Sequence, residues 1–320
     1  MSSSSSKPAI YAALVGNLAI AVTKMAAAAW TGSSAMLSEG VHSLVDTGNE
    51  ILLLYGLHRA ARPPDEMHPL GHGRELYFWS FIVALLIFAI GAGVSFYEGV
   101  IHIITPEPIT DVKINYIVLG FAFLFESGSW YVAWKGFRTA MPDLGVVPDL
   151  DYIEAATRSK DPTTFIVLFE DSAALIGILI ALAGTFASDY LAMPALDGVA
   201  SIGIALLLAA TGAFLARESK GLLMGEPAGP RTRERILQIA RRHDAVVSAD
   251  DLFTVHLAPR QVLVALRLDF DEVRLGRDIE RKFDELDADI RRTCPDVVAV
   301  FIRPRQRATP APLARAERTA

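Results

Sequence analysis

The sequence predicts a membrane protein: an all-α, six-helix transmembrane domain followed by a small cytoplasmic α+β domain of order α-β-β-α-β. Three observations carry this. The 320 residues are 52% hydrophobic with a mean hydropathy of +0.35, too apolar for an ordinary soluble chain of this length. Six apolar stretches each reach the roughly 20 helical residues that a bilayer crossing takes. After "GLLMGEPAGP" the composition changes sharply, and Pro227 and Pro230 mark a linker. The boundaries expected are 1–225 for the membrane domain, 226–305 for the second domain and 306–320 for a disordered tail.

The polar leader "MSSSSSKPAI" precedes an apolar run too long for a signal-peptide core, read as a retained first span. The spans expected are Ala9–Trp30, Ala35–Leu57, Phe78–Ile104, Ile114–Trp134, Thr164–Ala187 and Leu191–Leu215. The joints "TGSS" and "SDY" are so short that spans 1 and 2, and spans 5 and 6, must run antiparallel. Arg59, Arg62 and Arg74 sit between spans 2 and 3; Lys135, Arg138, Arg158 and Lys160 between spans 4 and 5; the opposite side offers only Lys113. By the positive-inside rule the basic loops and both termini face the cytoplasm. The membrane expected is the inner (plasma) membrane of a bacterium.

Beyond the linker, "TRERILQIARRH" has helical periodicity, and "LFTVHL" and "QVLVALRLDF" alternate like strands around a turn at Ala258–Arg260. "DIERKFDELDADIRRT" reads as an amphipathic helix and "DVVAVFIRP" as a third strand, giving helices on one face of a sheet. The tail "RATPAPLARAERTA" has a disorder-prone composition.

The formal net charge of −6 is unevenly spread. Residues 1–225 hold 12 Lys/Arg against 20 Asp/Glu, and residues 226–320 hold 18 against 16. An acidic membrane part is the reverse of a nucleic-acid binder and suits a protein that handles cations. One cysteine, Cys294, excludes a disulfide framework and a multi-cysteine metal site.

Ionisable residues inside spans are costly, so each is a functional candidate. In "SEGVHSLVDTGNEILLLYGL", His42 and Asp46 are four apart and share a helical face; Glu39 lies near it. Span 5 supplies the adjacent pair Glu170 and Asp171; Lys24, Glu98, Glu126 and Asp197 complete the set. One imidazole with two or three carboxylates can hold a four-coordinate divalent metal of the zinc type, and such ligands bind protons in competition with metal. The plainer alternatives are an interhelical hydrogen bond at His42 and Asp46, and a Lys24 ion pair with Glu39 or Asp197.

"SEGVHSLVDTGNEILLLYGL", the following "RPPDEMHPLGHGRELYFWS" and "PALDGVASIGIALLL" of span 6 are similar to the cation diffusion facilitators, and the resemblance covers nearly the whole chain. It implies efflux of zinc or a similar divalent cation by proton antiport, in a lipid bilayer, from a homodimer with ferredoxin-like cytoplasmic domains. It implies a transport site of two ligands each from spans 2 and 5, both pairs four residues apart. His42, Asp46 and Asp171 match; Val167 stands in the remaining position, with Glu170 as the substitute and Glu39 in reserve. The adjacent "ED" resembles the branch that includes a mitochondrial zinc transporter of animals. Asp65, His68 and His72 match a second metal site of some members at the cytoplasmic mouth. In the C-terminal domain, Asp250, Arg267 and Arg303 occupy positions where some members hold metal; arginine does not ligate metal, so dimerisation without that cluster is expected.

No cofactor is expected beyond the transported cation (Zn2+ first; Mn2+, Fe2+ or Co2+ next), no nucleic-acid partner, and no enzymatic activity, since no HExxH-type or nucleophile motif appears. The alternative is a metal-sensing or structural membrane protein with a degenerate ion site.

Overall fold

The computed structural model describes residues 7–140, 160–271 and 279–304, and the chain divides into two compact units, Met1–Met224 and Gly225–Ala320. Residues 1–6 of the expected leader, the Arg158 contribution to the basic loop and the tail from Gln306 lie outside the described residues, while Lys7–Ile10 of the leader already belong to the first helix.

The first unit is helical: α1 (Lys7–Thr31), α2 (Ser34–Ala60), α3 (Arg74–Leu86), α4 (Gly93–Ile104), α5 (Val112–Ala140), α6 (Pro162–Tyr190) and α7 (Ala195–Met224). Among the described residues, five helical stretches are long and apolar enough to cross a membrane: 14–31, 74–104, 112–139, 165–190 and 195–224. The sixth expected span, α2, is long enough at 27 residues. It falls short on composition because Glu39, Asp46 and Glu50 crowd its centre. Phe121, Leu124 and Val132 of α5 point their side chains outward, each about 70% exposed; apolar surface of that kind suits lipid rather than water. Inside, Met36, Tyr77, Leu119, Phe165, Ile178 and Leu208 form one apolar core.

Local chemistry explains the joints. Gly32 turns the chain between α1 and α2 at φ +72°, and Ser33 caps α2 by accepting the Met36 N–H at 3.1 Å. The joint between the last two helices starts after Tyr190, so the "SDY" expected as a loop is the end of α6. The third span is not one regular helix: Ile87–Ala92 forms a π-helical turn between α3 and α4.

The second unit contains α8 (Pro230–Arg242), β1 (Val246–Ala258), β2 (Gln261–Phe270), α9 (Ile279–Thr293) and β3 (Val297–Pro304). The sheet is mixed, in order β1-β2-β3, antiparallel between β1 and β2 and parallel between β2 and β3. Val262, Val264, Leu266 and Leu268 alternate inward along β2 and pack with Ile236 of α8 and Leu286 and Ile290 of α9. The other face carries a row Phe253–Ala265–Phe301, with both phenylalanines exposed, beside a row Asp251–Arg267–Arg303.

Candidate functional site

A polar cleft opens inside the apolar first unit. Its walls are Asn17 of α1, Ser43, Asp46 and Glu50 of α2, Glu126 of α5, and Val167, Glu170 and Asp171 of α6. Five of these eight residues are carboxylates. Ionised carboxylates this close repel one another, so protons or cations held among them would lower that repulsion.

Neighbouring polar groups aim the carboxylates. Asn49 Nδ2 donates to Glu170 Oε1 at 2.8 Å, Ser129 Oγ donates to Asp171 Oδ2 at 2.9 Å, and Asn17 Nδ2 donates to Glu50 Oε1 at 2.8 Å. Adjacent residues on a helix diverge by about 100°. Glu170 accordingly turns to α2 and Asp171 to α5, and both still line the cleft. His42 sits beside it, 1% exposed, with Nδ1 3.3 Å from Asp46 Oδ1. That approach lacks hydrogen-bond alignment: both ring nitrogens and Asp46 Oδ1 are buried without a hydrogen-bond partner among the described residues. Unsatisfied imidazole nitrogens cost free energy in an apolar interior, and a bound cation or proton would relieve that cost.

Glu39 sits differently. Lys24 Nζ donates to Glu39 Oε2 at 3.0 Å and to Ser43 Oγ at 2.8 Å, with Lys24 and Glu39 wholly buried. Glu39 does not line the cleft, and its Oε1 packs on the bare Cα of Gly177 in α6, where a Cβ would overlap it. Asp197 serves α2 instead: Ser33 Oγ donates to its Oδ1 at 2.9 Å and the Ala35 N–H to its Oδ2 at 3.2 Å, closing the positive end of the helix. Of the two partners open to Lys24, it takes Glu39.

The loop after α2 brings Asp65, His68 and His72 together, with one donor atom from each within 4.8 Å of the others. His72 Nε2 lies 2.9 Å from Asp65 Oδ2, His68 Nδ1 lies 3.1 Å from Oδ1, and the His68 N–H donates to Oδ1 at 2.7 Å. The His72 ring and the His68 backbone N–H hold the Asp65 carboxyl down to about 2. In the second unit, Arg267 forms an ion pair with Asp251, and Arg303 lies beside Arg267 in register. His256 Nδ1 lies 3.2 Å from the Ala258 carbonyl, and the Asp250 side chain is outside the described residues.

Sequence reasoning gave Asn49, Asn17 and Ser129 no role and left Glu50 without one. The available signal was their position: Asn49 lies three residues after Asp46, on the face that carries the acids.

A family model described as the cation efflux transmembrane domain matches residues 10–224, the stretch that contains every helix around the cleft. The chain belongs to the cation efflux family, also known as the cation diffusion facilitators. Within it the chain stands near the SLC30A9 branch. It is 32% identical over 262 residues to "Proton-coupled zinc antiporter SLC30A9, mitochondrial" of Xenopus laevis, covering 82% of this chain and 45% of the relative. It is 32% identical over 243 residues to "Metal tolerance protein C4" of Arabidopsis thaliana, covering 76% and 52%. A more distant relative, "Manganese efflux system protein MneP" of Bacillus subtilis, is 26% identical over 294 residues, covering 91% and 92%. The chain thus spans about half the length of the first two.

Proposed function

We propose that this chain carries a divalent transition-metal cation, Zn2+ foremost, out of the cytoplasm in exchange for protons. The observation that carries the reading is the buried cleft, lined by Asp46, Glu170 and Asp171 beside an imidazole with no hydrogen-bond partner among the described residues. His42, Asp46 and Asp171 are the ligands, with Glu170 as the fourth in place of Val167. The Asn49 bond directs Glu170 toward α2 and so toward that set, while Glu39 is occupied by Lys24.

Transport then follows from one set of donors serving two kinds of cargo. Metal arriving from the cytoplasm displaces protons from His42, Asp46, Glu170 and Asp171. Rocking of the helices exposes the site to the other side, where protons replace the metal and reset the cleft. Asp65, His68 and His72 form a loop site at the cytoplasmic mouth that collects the ion. α2 crosses as the sixth span, its acids sheltered by α1, α5 and α6. Two copies associate through the second unit, a ferredoxin-like domain, by the open Phe253–Phe301 face with Asp251 and Arg267 beside it. The membrane is the plasma membrane of a bacterium, with both termini in the cytoplasm.

Manganese is the second reading. Five carboxylates in one cleft are hard oxygen donors, which suit Mn2+ better than a histidine-rich site would, and the relative MneP is named for manganese efflux.

Proteoliposomes carrying a metal-sensitive dye and an imposed pH gradient test both. The expected result is zinc flux that depends on the gradient and is abolished in Asp46→Ala. Flux that survives Asp46→Ala overturns the site, and preference for manganese in competition selects the second reading.

A further inference from the structure

A second cavity, of about 490 Å3, lies at the opposite end of α2 from the Asp65–His72 loop. It is walled by the ends of α1 and α4, the α1–α2 joint and the chain just beyond α4. Its polar lining is Ser33, Ser34, Glu98, His102, Thr105 and Glu107, and among the described residues no lysine or arginine lines it. Two observations show that this is more than an acidic rim. Ser34 is 3% exposed and its Oγ has no hydrogen-bond partner among the described residues. The His102 side chain lines the cavity and is nine-tenths buried, with its Nε2 turned to the Asp197 carboxylate and no hydrogen bond formed there among the described residues.

We infer that Glu98 and His102, with Glu107 at the rim, form a second divalent-cation site at the end of the pathway opposite the loop. Glu98 and His102 are four apart on α4 and so share one helical face. This is the donor pair and spacing of His42 and Asp46, in reversed order. His102 Nε2 faces Asp197, 3.9 Å from its Oδ2. Metal-bound imidazoles commonly direct one nitrogen at a carboxylate and offer the other to the ion, which leaves Nδ1 for the cation. Two carboxylates and a neutral imidazole match a divalent charge, and the lack of basic lining disfavours an anion. From Ser34 to His42 is about 12 Å along α2 at 1.5 Å per residue. The site would receive an ion leaving the central cleft, a role that rests on the transport reading; binding itself does not.

The test uses the full chain in lipid nanodiscs and Zn2+ alone. In Asp46→Ala/Asp171→Ala/His68→Ala/His72→Ala, equilibrium dialysis should retain one bound ion. Adding Glu98→Gln or His102→Ala should each weaken it at least 10-fold. Glu98 is only partly buried, so Glu98→Gln tests the site even if His102→Ala folds poorly. Loss of all binding in the four-residue variant overturns the proposal, as does retained binding that neither change weakens. In proteoliposomes, Zn2+ added on the side of the α1–α2 joint should slow efflux in the parent chain and not in Glu98→Gln. Equal slowing in both overturns the exit role. Binding sensitive to Glu98→Gln in a protein without flux leaves the site standing and removes the transport reading.

Discussion

Asn49 Nδ2 donates to Glu170 Oε1 across 2.8 Å, tying α2 to α6 one turn beyond Asp46. The bond explains how Glu170, about 100° around the helix from Asp171, still faces the same cleft. It also makes a prediction. Groups that orient a metal ligand typically contribute 10–100-fold in affinity. Asn49→Ala should therefore weaken Zn2+ binding by about 10-fold, with Glu170→Gln weakening it more. Calorimetric titration of the purified chain checks both, and unchanged affinity in Glu170→Gln would remove Glu170 from the ligand set.

The spacing of His42 and Asp46 is legible in the sequence because four residues on a helix bring two side chains together whatever surrounds them. Glu170 and Asp171 are legible as candidates for a different reason: charge in an apolar run has few uses. The polar partners of the cleft acids are not legible, because Asn49, Ser129 and Asn17 acquire roles only when four helices meet. The same limit governs Glu39, whose pairing with Lys24 rather than with an ion depends on how α1 lies against α2. The π-turn at Ile87–Ala92 leaves no mark in "IFAIGA", although the segment packs against α7. Alternation along "QVLVALRLDF" locates the sheet's inner face well, since a strand has only two faces to choose between.

The wholly buried Lys24–Glu39 pair should behave as a unit. Removing one partner leaves an uncompensated charge in an apolar interior, at a cost of about 3–5 kcal/mol, whereas replacing both by neutral groups is often nearly neutral. Lys24→Met should lower the thermal midpoint in detergent sharply, and Lys24→Met/Glu39→Gln should recover most of the loss. Purely additive effects would show that the two groups do not depend on each other.

Acid should weaken the second unit in a defined direction. Lys282 Nζ donates to both oxygens of Asp244, at 2.7 and 2.6 Å, and this partner holds the Asp244 carboxyl below its ordinary range. A depressed carboxyl stabilises the fold above the unfolded value, about pH 3.9. That contribution fades as pH falls through the lower folded value. Asp244 is well exposed, so the effect is small and screened by salt. Carboxyl NMR of the full chain should show Asp244 titrating below the ordinary aspartate range. In Lys282→Met its titration should move up toward that range.

Gly177 offers the sharpest test of how α2 and α6 fit together. Its Cα faces Glu39 Oε1, and an added Cβ would overlap that oxygen. The carboxylate cannot swing aside freely, because Lys24 fixes its other oxygen at 3.0 Å. Gly177→Ala should then force the helices apart, costing about 1–3 kcal/mol, the usual range for overpacking, and lowering the thermal midpoint. The penalty should depend on the side chain opposite. In Lys24→Met/Glu39→Ala, which removes both the charge pair and the obstructing oxygen, adding Gly177→Ala should cost little, or help slightly through its higher helix propensity. An equal cost in both backgrounds would mean that Gly177 is needed for backbone reasons and that the Glu39 contact is incidental.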